Sequence, residues 1–107
     1  MVNIQNLEII NSVNRYLQLV KEKLHVEKAY LFGSYSRGVN AIESDIDIAL
    51  ISSFFSGNRF IDNVEAGVLT WGIDTRIEPI TFRPEEFTSE NIMAAEIIST
   101  GIELIIN

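Results

Sequence analysis

Apolar residues recur at three- and four-residue steps through the first quarter of the chain. The positions that carry this spacing are Ile4, Leu7, Ile10, Val13, Leu17, Val20 and Leu24. Such spacing places the apolar side chains on one face of an α-helix. The pattern therefore predicts an amphipathic helix of about six turns at the start of the chain.

Three apolar runs after this helix predict strands. They cover residues 27–32, 45–51 and 76–82, and all three are rich in β-branched or aromatic residues. A second helix is expected between the last two strands. Its apolar positions are Phe60, Ile61, Val64, Val68 and Trp71. We expect Trp71, like the pair Phe54 and Phe55, to anchor the core or a loop.

A third helix is expected after the last of these strands. Ser89 is a candidate N-cap, and Gly101 stands where a C′ glycine would end the helix. Its apolar positions are Ile92, Ala95 and Ile98. Residues 102–106 predict a last short strand or a packing tail. The order of elements predicts an α+β fold, in which a small mixed sheet has helices packed mainly on one face.

Length and composition favour one folded domain covering residues 1–107. The chain has 107 residues and is 47% hydrophobic, which is enough for a core and inconsistent with disorder. It has no cysteine, so disulfides and zinc–thiolate sites are excluded, and a cytoplasmic location is expected. We expect no signal peptide, and no apolar run reaches the ~20 residues needed to span a membrane.

The formal net charge of −7 argues against a nucleic-acid-binding protein, because such proteins normally present a basic patch or stripe. General solubility explains most of the negative charge. A few of the carboxylates have a more specific interpretation.

Asp45 and Asp47 lie two residues apart on the second predicted strand, so their side chains share one face of the sheet. Two carboxylates so placed repel each other unless a cation lies between them. Magnesium prefers oxygen ligands and is often held by one or two carboxylates plus substrate phosphates. We therefore expect a Mg²⁺ or Mn²⁺ site. An EF-hand does not fit, because Leu50 and Ser56 stand where its loop needs Gly and Glu.

Gly33 and Ser34 follow the first predicted strand and form a candidate phosphate site. Gly33 allows close backbone approach to a ligand, and Ser34 can cap the turn that follows. Amides at the start of a helix attract phosphate. Neither the P-loop nor the Rossmann glycine pattern is present in the sequence.

A third carboxylate is expected if two metal ions act together in an in-line displacement. Glu78 on the third predicted strand is the first candidate, and Asp74 in the preceding loop is its rival. Alternatively, Arg76 and Glu78 form only a surface ion pair, which would contribute little.

The segment Leu31–Leu50 resembles the signature of the polymerase-beta-type nucleotidyltransferase superfamily, Gly-Ser-x10-Asp-x-Asp. It is most similar to the minimal nucleotidyltransferases, small single-domain prokaryotic proteins. Glu78 falls where that family has its third carboxylate, although Asp is more common there. The other matching positions are Gly33, Ser34, Arg37, Gly38, Ser44, Asp45 and Asp47.

This resemblance implies a nucleotidyltransferase, polymerase-beta palm-like fold and metal-dependent transfer of a nucleoside monophosphate, AMP from ATP, to a hydroxyl acceptor. It implies Asp45, Asp47 and Glu78 as catalytic metal ligands. Four residues are the implied nucleotide contacts: Gly33, Ser34, Arg37 and Ser44. Relatives of this kind pair with HEPN-type toxins as antitoxins, so such a partner or a second copy of the chain is expected. The alternative is a non-catalytic nucleotide- or partner-binding module.

Overall fold

A computed structural model describes residues 7–33 and 45–106 of the chain. In chain order, the elements are α1 (Leu7–Leu24), β1 (Lys28–Phe32), β2 (Ile46–Ile51), α2 (Arg59–Val68), β3 (Ile77–Phe82), a short 3₁₀ helix (Pro84–Glu86), α3 (Ile92–Thr100) and β4 (Ile102–Leu104). The three predicted helices are present in the described ranges, and the last segment forms a strand. The predicted α+β class with a mixed sheet is confirmed.

The sheet has the strand order β3-β2-β1-β4. β1 runs antiparallel to both β2 and β4, whereas β2 and β3 are parallel and are connected through α2. The carboxyl end of β1 therefore lies beside the amino ends of β2 and β3. We call this end of the three strands the site end, because Gly33, Asp45, Asp47 and Glu78 all lie there.

Two apolar layers cover the two faces of the sheet. On one face, α1 and α2 pack over the strand residues Leu31, Ile46 and Ile48, all of which are buried. Tyr16 of α1 donates a hydrogen bond of 2.7 Å to the carbonyl of Ala66 in α2, and burial raises the pKa of its hydroxyl above the ordinary value. The helix α3 packs on the opposite face. None of the described helices is long and apolar enough to cross a bilayer.

Polar contacts determine the rotation of α2 about its axis. Asp62 is buried and accepts hydrogen bonds from the amide and hydroxyl of Ser56 (3.1 and 2.8 Å) and from the amide of Gly57 (3.1 Å). Asn63 accepts from the amide and hydroxyl of Thr81 at 2.8 and 2.7 Å. Because β3 is an edge strand, Asn63 satisfies an amide that would otherwise lack a partner within the sheet.

The apolar positions that predicted α2 consequently face outward. Trp71 is 74% exposed and Phe60 is 78% exposed. The expectation that Trp71, Phe54 and Phe55 anchor the core or a loop is wrong for Trp71, which is exposed on the surface. Phe55 is buried, and Phe54, although exposed, packs its ring against that of His25 with centroids 4.8 Å apart, which anchors the loop after β2. Apolar periodicity identified the helix, but buried hydrogen bonds selected its inward face.

The N-cap of α3 lies two residues after the candidate cap Ser89. Asn91 is the N-cap, and its side-chain oxygen accepts from the amide of Ala94 at 3.1 Å. The buried residues are Ala94 and Ile97. The face that packs is therefore shifted by one position from the predicted one.

Gly101 ends α3 as predicted, but in extended conformation (φ −81°, ψ 174°) rather than the left-handed conformation of a C′ glycine. A Cβ atom there would lie 2.6 Å from the carbonyl oxygen of Ile97 and 3.1 Å from that of Leu31. The glycine is required by the close approach of two backbone segments.

Candidate functional site

The register of β2 and β3 places two of the predicted site residues side by side. Asp47 pairs with Glu78, and Ile46 pairs with Ile77. Because Ile46 and Ile77 are buried in the layer beneath α1, the alternation of a strand directs Asp47 and Glu78 to the opposite face. The sheet therefore fixes which of the acidic residues can meet.

Asp45 completes the acidic group directly before β2. It is exposed, as is Glu78, whereas Asp47 is half-buried. Burial raises the pKa of Glu78 above its ordinary value, and the charges of Asp45 and Asp47 and hydrogen bonding with Asp45 raise it further. The three carboxylates are therefore close enough to repel one another.

Gly33 ends β1 next to Asp47. Its φ of +75° lies in the left-handed region, and a Cβ atom on it would overlap Oδ2 of Asp47 and lie 3.2 Å from its Cγ. Only glycine combines this backbone conformation with this close approach. The other predicted nucleotide contacts, Ser34, Arg37 and Ser44, lie outside the described residues.

Asp74 is instead paired with Arg76. Its carboxylate accepts from Nε and Nη2 of Arg76 at 2.9 and 2.6 Å, and the same Nη2 lies 3.3 Å from Glu8 of α1. The hydrogen bond from Arg76 lowers the pKa of Asp74 to about 2, with a further contribution from Ser12. The structure thus groups Glu78, and not its rival, with Asp45 and Asp47.

The carboxylate oxygens at the site end are of the type that binds magnesium together with a triphosphate. Among the described residues, no three His, Asp or Glu side chains are already arranged to hold a metal ion. Magnesium seldom uses an all-protein cage and is commonly held by one or two carboxylates plus substrate phosphates. The oxygen donors of Asp45, Asp47 and Glu78 suit this sharing of ligands between protein and substrate.

Two apolar side chains beside the carboxylates were not singled out from the sequence. Phe32 pairs with Asp47 across β1 and β2, and Ile80 lies two residues after Glu78 on the same face. Both are half-buried and pack against the layer formed with α3. The acidic group therefore lies next to apolar side chains on the same face of the sheet. Once the strand pairing is known, both residues can be identified from the sequence. Phe32 is the residue opposite Asp47, and Ile80 shares a strand face with Glu78 because it lies two residues later.

An open cleft of about 840 Å³ lies to one side of the acidic group. Its lining includes Arg15 of α1, Trp71, and Asp74 with Arg76, but none of the three grouped carboxylates. The carbonyl of Arg76 accepts from the amide of Ile46 at 2.8 Å, so the cleft adjoins the start of β2.

Comparison with known proteins identifies the family of this chain. The sequence model of the nucleotidyltransferase domain family matches residues 13–98, a span that contains the site end. No curated protein gives a significant sequence match. A crystal structure of a Sulfolobus solfataricus protein, provisionally described as a nucleotidyltransferase, is similar with a TM-score of 0.51 and 22% identity, over 90% of this chain and 85% of that one. At that identity it supports the fold alone. From the family match, this chain belongs to the nucleotidyltransferase domain family.

Proposed function

We propose that this chain is a magnesium-dependent nucleotidyltransferase that moves AMP from ATP to a hydroxyl group on a partner protein and releases pyrophosphate. The observation that carries the proposal is the grouping of Asp45, Asp47 and Glu78 on one face of the sheet, with Gly33 beside them. Membership of the family supports the general reaction. The acidic group supports the dependence on a metal.

Each of these residues has a role in the proposed reaction. Magnesium, or manganese, would neutralise phosphate charge when held by Asp45, Asp47 and Glu78 together with the triphosphate. Gly33 leaves room for the Asp47 carboxylate itself, because a Cβ atom at this position would overlap its Oδ2. The acceptor oxygen bonds to the α-phosphorus, the bond from that phosphorus to pyrophosphate breaks, and a site carboxylate takes the hydroxyl proton. Positioning and charge neutralisation supply most of the acceleration.

The proposed acceptor is a HEPN-type protein, and the chain would act as its antitoxin. The resemblance to minimal nucleotidyltransferases supports this partner. The same resemblance supports Ser34, Arg37 and Ser44 as nucleotide contacts.

Label transfer tests the proposal. The chain would be incubated with α-labelled ATP, magnesium and the HEPN-type protein encoded beside it. We expect label on the partner with wild type and none with Glu78→Gln, which should still bind ATP through Asp45 and Asp47. Glu90→Gln is the matched control, because Glu90 is exposed and remote in sequence from the site, and it should transfer normally.

Two results would change the assignment. Transfer that survives in Glu78→Gln but is lost in Asp74→Asn would move the third ligand to Asp74. Absence of label on the partner and on the chain itself, with all four nucleoside triphosphates and both metals, would contradict an enzyme. It would favour a nucleotide-binding module, which is the second candidate.

A further inference from the structure

Five exposed apolar side chains form a continuous band on α2 and on the turn after it. We call this band the α2 stripe. It consists of Phe60 (78% exposed), Ile61 (47%), Val64 (49%), Val68 (43%) and Trp71 (74%). The spacing of three and four residues places all of them on one side of the helix.

The α2 stripe cannot reach the sheet by a simple rotation of the helix. The opposite side of α2 is held by Asp62, which accepts three hydrogen bonds from Ser56 and Gly57, and by Asn63, which accepts two from Thr81. Rotation would break these bonds and leave buried polar groups without partners, which is costly. The outward direction of the stripe is therefore built into the fold.

The exposed area is large for a chain of this size. A whole aromatic side chain contributes roughly 200 Å², and a valine or isoleucine contributes roughly 100 Å². With the fractions above, the α2 stripe exposes roughly 450 Å² of apolar surface. That is more than half of the roughly 800 Å² that each partner buries in a stable protein–protein interface. Patches of this size commonly mark interaction sites.

We propose that the α2 stripe is the interface between two copies of this chain. Its bulky residues lie at the two ends, Phe60 at one and Trp71 at the other, whereas the middle holds Val64, Gly67 and Val68. When two such helices pack antiparallel about a twofold axis, the Phe60 end of each copy meets the Trp71 end of the other. The small residues in the middle let the helix backbones approach closely.

Charge distinguishes a second copy from a basic partner through the response of the complex to salt. None of the five stripe residues is charged, so the contact itself offers nothing for a basic surface to recognise. Two copies with a net charge of −7 each repel one another at long range, and salt screens this repulsion. A dimer through the α2 stripe should therefore tighten as salt is added, whereas a complex with a basic partner should weaken.

The dimer would also border the cleft beside the candidate site. Trp71 belongs both to the α2 stripe and to the lining of that cleft, together with Arg15 and Arg76. A second copy seated on the stripe would form part of the cleft wall. The proposal of a dimer does not depend on the proposed transfer reaction.

Sedimentation of the purified chain at several protein concentrations tests this interface. We expect a species of twice the mass of one chain that tightens between about 50 mM and about 500 mM salt. Val64→Asp should weaken the dimer roughly tenfold or more. Ile92→Asp is the matched control, because Ile92 is 89% exposed on α3 and outside the stripe, and it should leave the dimer unchanged. Circular dichroism would establish that both variants fold.

A single-cysteine variant locates the contact independently. The chain has no cysteine, so Val64→Cys introduces one unique thiol. Oxidation should link two copies through residue 64, and Ile92→Cys should give no such product at the same concentration. A monomer at all concentrations and salts, or a dimer that Val64→Asp leaves intact, would overturn the proposal.

Discussion

Gly33 shows how one missing side chain shapes the site end. Its positive φ and its close approach to Asp47 both exclude a Cβ atom, whereas Gly57 has a positive φ of +91° with only the side chain of Arg83 nearby, 3.4 Å away from the position of an added Cβ. A side chain added at either glycine would strain the backbone, but only one added at Gly33 would also contact the acidic group. Comparing substitutions at the two positions therefore distinguishes the two effects.

Gly33→Ala should weaken magnesium-dependent ATP binding about tenfold or more, because the new methyl group must displace the Asp47 carboxylate. Gly57→Ala should carry a similar strain of roughly 1 kcal/mol in the free energy of unfolding without losing ATP affinity. Calorimetric titration and urea unfolding of both variants would measure the two effects. Equal loss of ATP affinity in both would show that strain, and not the site, is responsible.

At the scale of secondary-structure elements, Asp74 connects α1 to the segment before β3 through polar contacts. Its carboxylate side chain is 8% exposed and is held by Arg76, with a further hydrogen bond from Ser12 of α1. Because its pKa is lowered to about 2 in the folded chain from 3.8, its ionised form stabilises the fold above pH 3.8. That stabilisation is lost as the pH falls towards 2.

Asp74→Asn should lower the free energy of unfolding by about 1–2 kcal/mol at pH 7 and by about half as much at pH 3. Urea unfolding at the two pH values would measure the difference from wild type. Glu85→Gln is the control, because Glu85 pairs with Arg83 at 2.6 Å on the surface and is 64% exposed, so no measurable change is expected. A loss for Asp74→Asn that does not depend on pH would contradict the ionic role.

The elements themselves were largely predictable, because α1, α2 and the strands follow from apolar spacing. The inward face of α2 was not predicted, since it depends on buried hydrogen bonds from Ser56 in the preceding loop to Asp62 and from Thr81 of β3 to Asn63. The same limit applies to α3. Asn91 and Ser89 are both acceptable N-caps by residue type, and packing against the sheet decides between them.

At the scale of the whole molecule, the sheet order determines which predicted site residues meet. Asp45 and Asp47 could be placed on one face from alternation alone. The choice between Glu78 and Asp74 required the parallel register of β2 and β3, which joins segments about thirty residues apart. Metal binding and catalysis by these residues stay predictions, as does the assignment of the whole chain to a single domain.

The negative charge of the chain bears directly on the proposed reaction. With a net charge of −7 and three carboxylates grouped at the site end, the protein repels a bare triphosphate. A divalent cation at the acidic group reverses this repulsion locally. ATP binding should therefore depend strictly on magnesium, and this dependence should reside in the grouped aspartates.

Calorimetric titration of ATP into the intact chain, with magnesium and then with a chelator, tests this most directly. Wild type should bind ATP only with magnesium, and the double variant Asp45→Asn with Asp47→Asn should not bind it at all. The control is Glu22→Gln with Glu90→Gln, which removes the same charge from two exposed positions and should bind as wild type does. Binding of equal strength in chelator, or in the double aspartate variant, would contradict the account.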